Sequence, residues 1–122
     1  MKQNKYLLYN TLKELIHNVM DILPDNSEIT KKFQYYLHGM TEFKIYALDA
    51  IYNEFSEALG NKEIRDAITN RDVYFFQQLK VDNNVGVVNE LKEIQNVMLE
   101  YLNEDSQKIV WEYIDLMVDC MT

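Results

Sequence analysis

Four carboxylates in the last third of this 122-residue chain have a spacing that metal-assisted chemistry uses: Glu90-x-x-Glu93, an 18-residue gap, then Glu112-x-x-Asp115. On a helix, side chains three apart share a face. A face of clustered carboxylate oxygens suits Mg²⁺, a hard cation that prefers oxygen ligands. The same spacing also arises without chemistry. The chain has 11 glutamates, enough for about one E-x-x-E by chance, and Glu54-x-x-Glu57 is another instance. In both segments the acids fall off the apolar stripe, as on an ordinary solvated face. Glu14-x-x-His17 matches one half of a helical-bundle di-iron site, but His38 has Tyr35 where the second half needs a glutamate. Cys120 could pair with a histidine as nucleophile and base. At an apolar-leaning helix end it reads instead as a small packing residue. With three glycines and no G-x-x-x-x-G-K-[ST], G-x-G-x-x-G or G-x-S-x-G, phosphate-cradling loops are excluded.

The E-x-x-E … E-x-x-D pattern resembles that of the all-α nucleoside triphosphate pyrophosphohydrolases, the MazG and dimeric dUTPase group. The resemblance implies that Glu90, Glu93, Glu112 and Asp115 face one another from two helices and hold Mg²⁺, which in turn holds the substrate phosphates. No lysine- or arginine-rich clamp accompanies these acids in this part of the chain.

The elements that would position them follow from periodicity and punctuation. Gly and Pro together number four, too few for the tight reversals of a β protein, so the fold class is all-α. A first helix is expected from about Lys5 to Ile22, with Leu8, Leu12, Leu15, Ile16, Val19 and Leu23 on one stripe and Pro24 stopping it. Asp25 with Glu28 suggests a capping box for a second helix, whose face carries Ile29, Phe33, Tyr36, Leu37 and Met40 and which Gly39 ends. Thr41 would cap a third, closed by Gly60 in a left-handed conformation. Apolar nearly all round, with Ile45, Tyr46 and Tyr52 beside Leu48, Ile51 and Phe55, this third helix is expected at the centre of the bundle.

A fourth segment starts at Asn61, carries Ile64, Ala67 and Ile68, and breaks near residues 70–72. Continuing its stripe places Phe75 in the core, Phe76 at the bundle edge and Tyr74 towards water. VDNNVG (81–86) is a loop. Helix five covers about Val87 to Leu102, with Leu91, Ile94 and Met98 inward. After NEDS (103–106), a last helix has Val110, Tyr113, Ile114, Met117 and Met121 on its stripe. The expectation is one domain of five to six helices.

The net charge of −8 is uneven: residues 1–81 carry −1, and residues 82–122, with nine acids against Lys92 and Lys108, carry −7. Such a field repels phosphate backbones and anionic lipid and favours basic partners. Nucleic-acid binding is therefore not expected, even though KKFQYYLH (31–38) mixes lysines with aromatics. One cysteine excludes an intrachain disulfide. The absence of an apolar leader, of an N-x-S/T acceptor and of any long apolar run points to an intracellular protein with no membrane segment.

Residue usage is skewed, with 12 Asn, 10 Lys, 10 Ile and 9 Tyr against 2 Arg and 4 Ala, as an A/T-rich genome would give. The segments ILPDNSEITKKFQYYL, RDVYFFQQL and SQKIVWEYIDLM resemble small acidic all-helical proteins of large nucleo-cytoplasmic DNA viruses. That resemblance implies a viral, non-enzymatic factor in the host cytoplasm or the virion and assigns no catalytic residue. The expected function is a helical interaction protein that needs no cofactor. Its acidic C-terminal third, with Glu112, Asp115 and Asp119, would meet a basic protein partner or a second copy. Trp111 lies about 100° or more from Val110 and Met117 on its helix. Trp111 and Tyr74 are thus the aromatics expected to anchor the contact.

Overall fold

Six helices account for the described residues, 2–23, 27–72 and 87–121, of a computed structural model. They are α1 (Lys2–Ile22), α2 (Glu28–Glu42), α3 (Lys44–Leu59), α4 (Lys62–Thr69), α5 (Val87–Tyr101) and α6 (Glu104–Asp119). Short polar side chains set three of the starts. Ser27 Oγ accepts from Thr30 N at 3.1 Å, Asn61 Oδ1 from Glu63 N at 2.8 Å, and Asn103 Oδ1 from Ser106 N at 2.9 Å. Each satisfies a first-turn N–H that has no intrahelical acceptor. Ser27 caps α2; the expected cap, Asp25, lies outside the described residues, as do Tyr74, Phe75, Phe76 and the 81–86 segment.

Three expected punctuation points differ. Gly39 does not end α2, which continues to Glu42, with Phe43 N donating to Gly39 O at 3.0 Å. Phe43, not Thr41, precedes α3, and it makes no side-chain cap. Gly60 is right-handed at φ −68°, and the left-handed residue is Arg71, φ 56°. There the chain closes α4 with Asp72 N donating to Ala67 O (2.8 Å) and Arg71 N to Ile68 O (3.2 Å). That pair of bonds is a Schellman closure, which usually takes glycine at the left-handed position.

The centre of the bundle is α1, not α3. Leu8, Leu12, Leu15, Ile16 and Val19 are shut from solvent, and α1 packs chiefly on α3 and α6 while also touching α2 and α5. The buried face of α3 is the stripe Leu48, Ile51, Phe55 and Ala58, whereas Ile45 and Tyr46 are 79% and 78% exposed. At 100° per residue they stand roughly 100° and 160° from the middle of that stripe, so a greasy circumference did not translate into burial. Polar ties fix the packing: Tyr9 Oη donates to Met40 O (2.9 Å), and Lys5 Nζ pairs with Asp49 (2.8 Å). Gln107 Nε2 donates to Met98 O and Leu102 O, both at 3.0 Å, and so supplies donors to carbonyls at the end of α5. Among the described residues no helix is long and apolar enough to cross a membrane.

Candidate functional site

The last helix carries two unlike faces. Val110, Ile114 and Met117 are buried against the bundle. On the opposite side Asp105, Ile109, Glu112, Leu116 and Asp119 are all exposed. At 100° per residue these five fall within about 40° of one line. The acids Asp105, Glu112 and Asp119 stand seven apart, and so do the aliphatics Ile109 and Leu116, which are 44% and 52% exposed. The result is a ridge of alternating acid and hydrocarbon that nothing in the described fold covers.

On the shoulder of α6, Trp111 is 6% exposed, which corrects its expected place as an outward anchor. The left-handed turn after α4 brings Arg71 across the ring, its guanidinium 5.2 Å from the centroid. The guanidinium also grips Asp115, Nη1 to Oδ1 at 2.8 Å and Nη2 to Oδ2 at 2.6 Å. This two-bond pairing fits the planar fork to the carboxylate. The Arg71 pKa is raised, first by the hydrogen bonding in which it donates to Asp115. Trp111 is inside because α6 packs on α1 and because Arg71, from the turn after α4, lies across the ring. A single stripe on a helical wheel underestimates so wide a buried arc.

Glu90 and Glu93 lie elsewhere, in a cleft of about 860 Å³ between α2, α3 and the start of α5. Glu90 is 7% exposed, and its Oε2 is buried without a hydrogen-bond partner. Burial first, and then the neighbouring Glu93 charge, push its carboxyl up to about 7, with Lys32 opposing. Tyr36, on the α2 wall, has its phenol pushed up by burial and by Glu90 and Glu54, so it remains a neutral donor. Lys31 and Lys32, both exposed, stand at the mouth.

Comparison of the chain with models of protein families, with curated proteins and with solved structures finds no match.

The four carboxylates expected to share a Mg²⁺ site are therefore divided. Glu90 and Glu93 line the cleft, Glu112 stands on the outer ridge of α6, and Asp115 is held by Arg71. Among the described residues, no group of three or more His, Cys, Asp or Glu side chains could hold a metal ion. Spacing along two helices does not make those faces converge when α5 and α6 both pack on α1. Nor do all the acids lie off the apolar stripe, since Glu90 precedes Ile94 and Val97 by one and two helical turns on their buried face. Sequence reasoning also missed Gln95, fully buried with neither amide atom bonded. Its signal was a polar residue four after Leu91, on the Leu91–Met98 face. His17 and His38 are exposed, and Cys120 is buried with its thiol pKa raised by burial.

Proposed function

We propose that this chain is a non-enzymatic interaction protein that engages a basic partner protein through the outer ridge of α6. The observation that carries this reading is the exposed sequence Asp105, Ile109, Glu112, Leu116, Asp119, two interleaved seven-residue repeats on one line. A seven-residue apolar repeat is what a partner helix packs against. The interleaved acids select a helix flanked by lysine or arginine and disfavour a second copy of this −7 region. Exposed aromatics elsewhere, Tyr46 and Phe43 among them, lie at the α2–α3 corner, away from this ridge.

The test is titration of the labelled chain with an amphipathic helical peptide of leucine and lysine, followed by amide chemical shifts. Shifts confined to α6 are expected. Reversing two charges, Glu112→Lys with Asp119→Lys, should weaken binding by about tenfold or more, since like charges now face each other. Shifts scattered over the whole surface, or affinity unchanged by the reversal, would refute the reading. Sedimentation of the chain alone distinguishes self-association, which would appear as a dimer lost in Leu116→Ser.

A further inference from the structure

We propose a second site, independent of α6: the cleft between α2, α3 and α5 binds a small organic cation, an alkylammonium whose head group pairs with the Glu90 carboxylate. A carboxylate withdrawn from water without a partner is costly, and the chain keeps one at Glu90, which lines a cleft of about 860 Å³ and whose Oε2 is buried without a hydrogen-bond partner. That size lies within the ~300–1,000 Å³ of small-molecule sites. The groups facing Glu90 decide the sign of the ligand. Its own helix supplies Glu93, α3 supplies Glu54, and α2 supplies the neutral Tyr36 hydroxyl with Lys31 and Lys32 at the mouth. An anion that passed the two lysines at the mouth would come to rest beside the carboxylates of Glu54, Glu90 and Glu93. A hydrocarbon would leave the carboxylate unpaired, and an alcohol would bring one donor without the balancing charge.

The head group must also donate hydrogen bonds, because the orphan is an acceptor. A primary ammonium has three N–H donors, whereas a quaternary ammonium has none. The walls fit a hydrocarbon body. Ala47, Ala50 and Ile51 of α3 and Met40 of α2 are apolar, and nothing lies within 4 Å of where a side chain on Gly39 would begin.

Hexylamine is the probe, with hexanol, hexanoate and hexyltrimethylammonium as matched chains, titrated into the 122-residue chain by calorimetry and amide shifts at pH 8. Seven heavy atoms should give a Kd on the order of 1 mM, with shifts on α2, α3 and α5 at the cleft. The three controls should bind at least about tenfold more weakly, because hexanol brings a donor without the charge, hexyltrimethylammonium the charge without a donor, and hexanoate neither. The alkylammonium stays charged throughout, whereas Glu90 ionises around pH 7. Affinity should therefore rise roughly tenfold from pH 6 to pH 8. Glu90→Gln should abolish binding while thermal unfolding shows the chain folded. Ala50→Phe, at an exposed position on the wall, should block the hydrocarbon path with Glu90 intact.

The same head group occurs on free amines and on lysine side chains. Tighter binding of N-acetyl-lysine amide than of hexylamine assigns the site to a partner's lysine, and weaker binding assigns it to a free amine. Equal binding of hexanol, tighter binding of hexanoate, an unaffected Glu90→Gln variant, or no saturable shift with any amine would each overturn the proposal. None of these outcomes bears on α6, whose test uses other residues.

Discussion

Replacing Glu90 by Gln should change how the stability of the chain depends on pH, and the size of the change follows from the burial of one carboxylate. In the folded chain Glu90 is pushed from its ordinary 4.5 to about 7. Between those values the folded state holds a proton that the unfolded state has released. The folded state binds more protons there, so stability falls as pH rises through the window and levels above it. At about 1.4 kcal/mol per pKa unit, the full penalty is about 3 kcal/mol. About 2 kcal/mol of that falls between pH 5.5 and 8.5.

Glutamine has the same shape and does not ionise, so the variant lacks this slope. Its amide adds a buried donor, but that shifts the curve by the same amount at every pH. Exposed groups, the two histidines included, are common to both proteins and cancel in the difference. The assay is urea unfolding of both proteins at intervals from pH 5.5 to 8.5. The variant should gain about 2 kcal/mol on the wild type across that range, or roughly 8 °C in Tm for a chain of this size. A difference that stays flat with pH would refute the account, because it would mean that Glu90 is solvated or paired. A difference of the opposite sign would mean that the carboxylate, and not its acid form, is the stabilised species.

Three other substitutions probe the packing. Gln95→Met removes two buried polar atoms that have no partners at nearly constant volume, and should stabilise the fold by about 1–3 kcal/mol in urea unfolding; destabilisation would show that the amide is bonded in solution. Trp111→Ala should cost about 3–5 kcal/mol through loss of a buried ring. Asp115→Asn, at the half-exposed ion pair with Arg71, should cost only about 0.5–1 kcal/mol in the same assay. Similar costs for the two would mean that the Arg71 grip, and not ring burial, holds the shoulder of α6.

The stripes of α1 and α6 were legible because single apolar faces at helical spacing have one way to be buried: Leu8, Leu12, Leu15 and Ile16, or Val110, Ile114 and Met117. Ends were harder to read. Gly39 and Thr41 carry the residue types of a boundary, but a helix crosses a glycine for about 1 kcal/mol when packing on both sides holds it, here Leu37 and Met40. The left-handed residue proved to be Arg71, where the cost of a positive φ, about 1 kcal/mol, is offset by contacts with Asp115 and Trp111 that glycine could not make. Those contacts join residues 44 and 40 apart in sequence, and no local pattern announces them. Glu90 and Gln95 were legible in principle, as polar letters on an apolar period. A polar residue on an apolar period shows only that the stripe is interrupted, not whether its side chain finds a partner when buried.

The excess acid of the last third therefore acts in two physical settings. On α6 the carboxylates are in water, where their attraction for a basic helix reaches only about 10 Å at 0.1 M salt and weakens further as salt is added. Glu90 sits in a cleft where screening ions have little access, so its effect is local and set by desolvation. Salt separates the two. Raising it should weaken the binding of a lysine-rich peptide to α6 and leave the pH slope contributed by Glu90 nearly intact. If both respond alike, Glu90 is part of the solvated field, and the cleft has no claim to a ligand of its own.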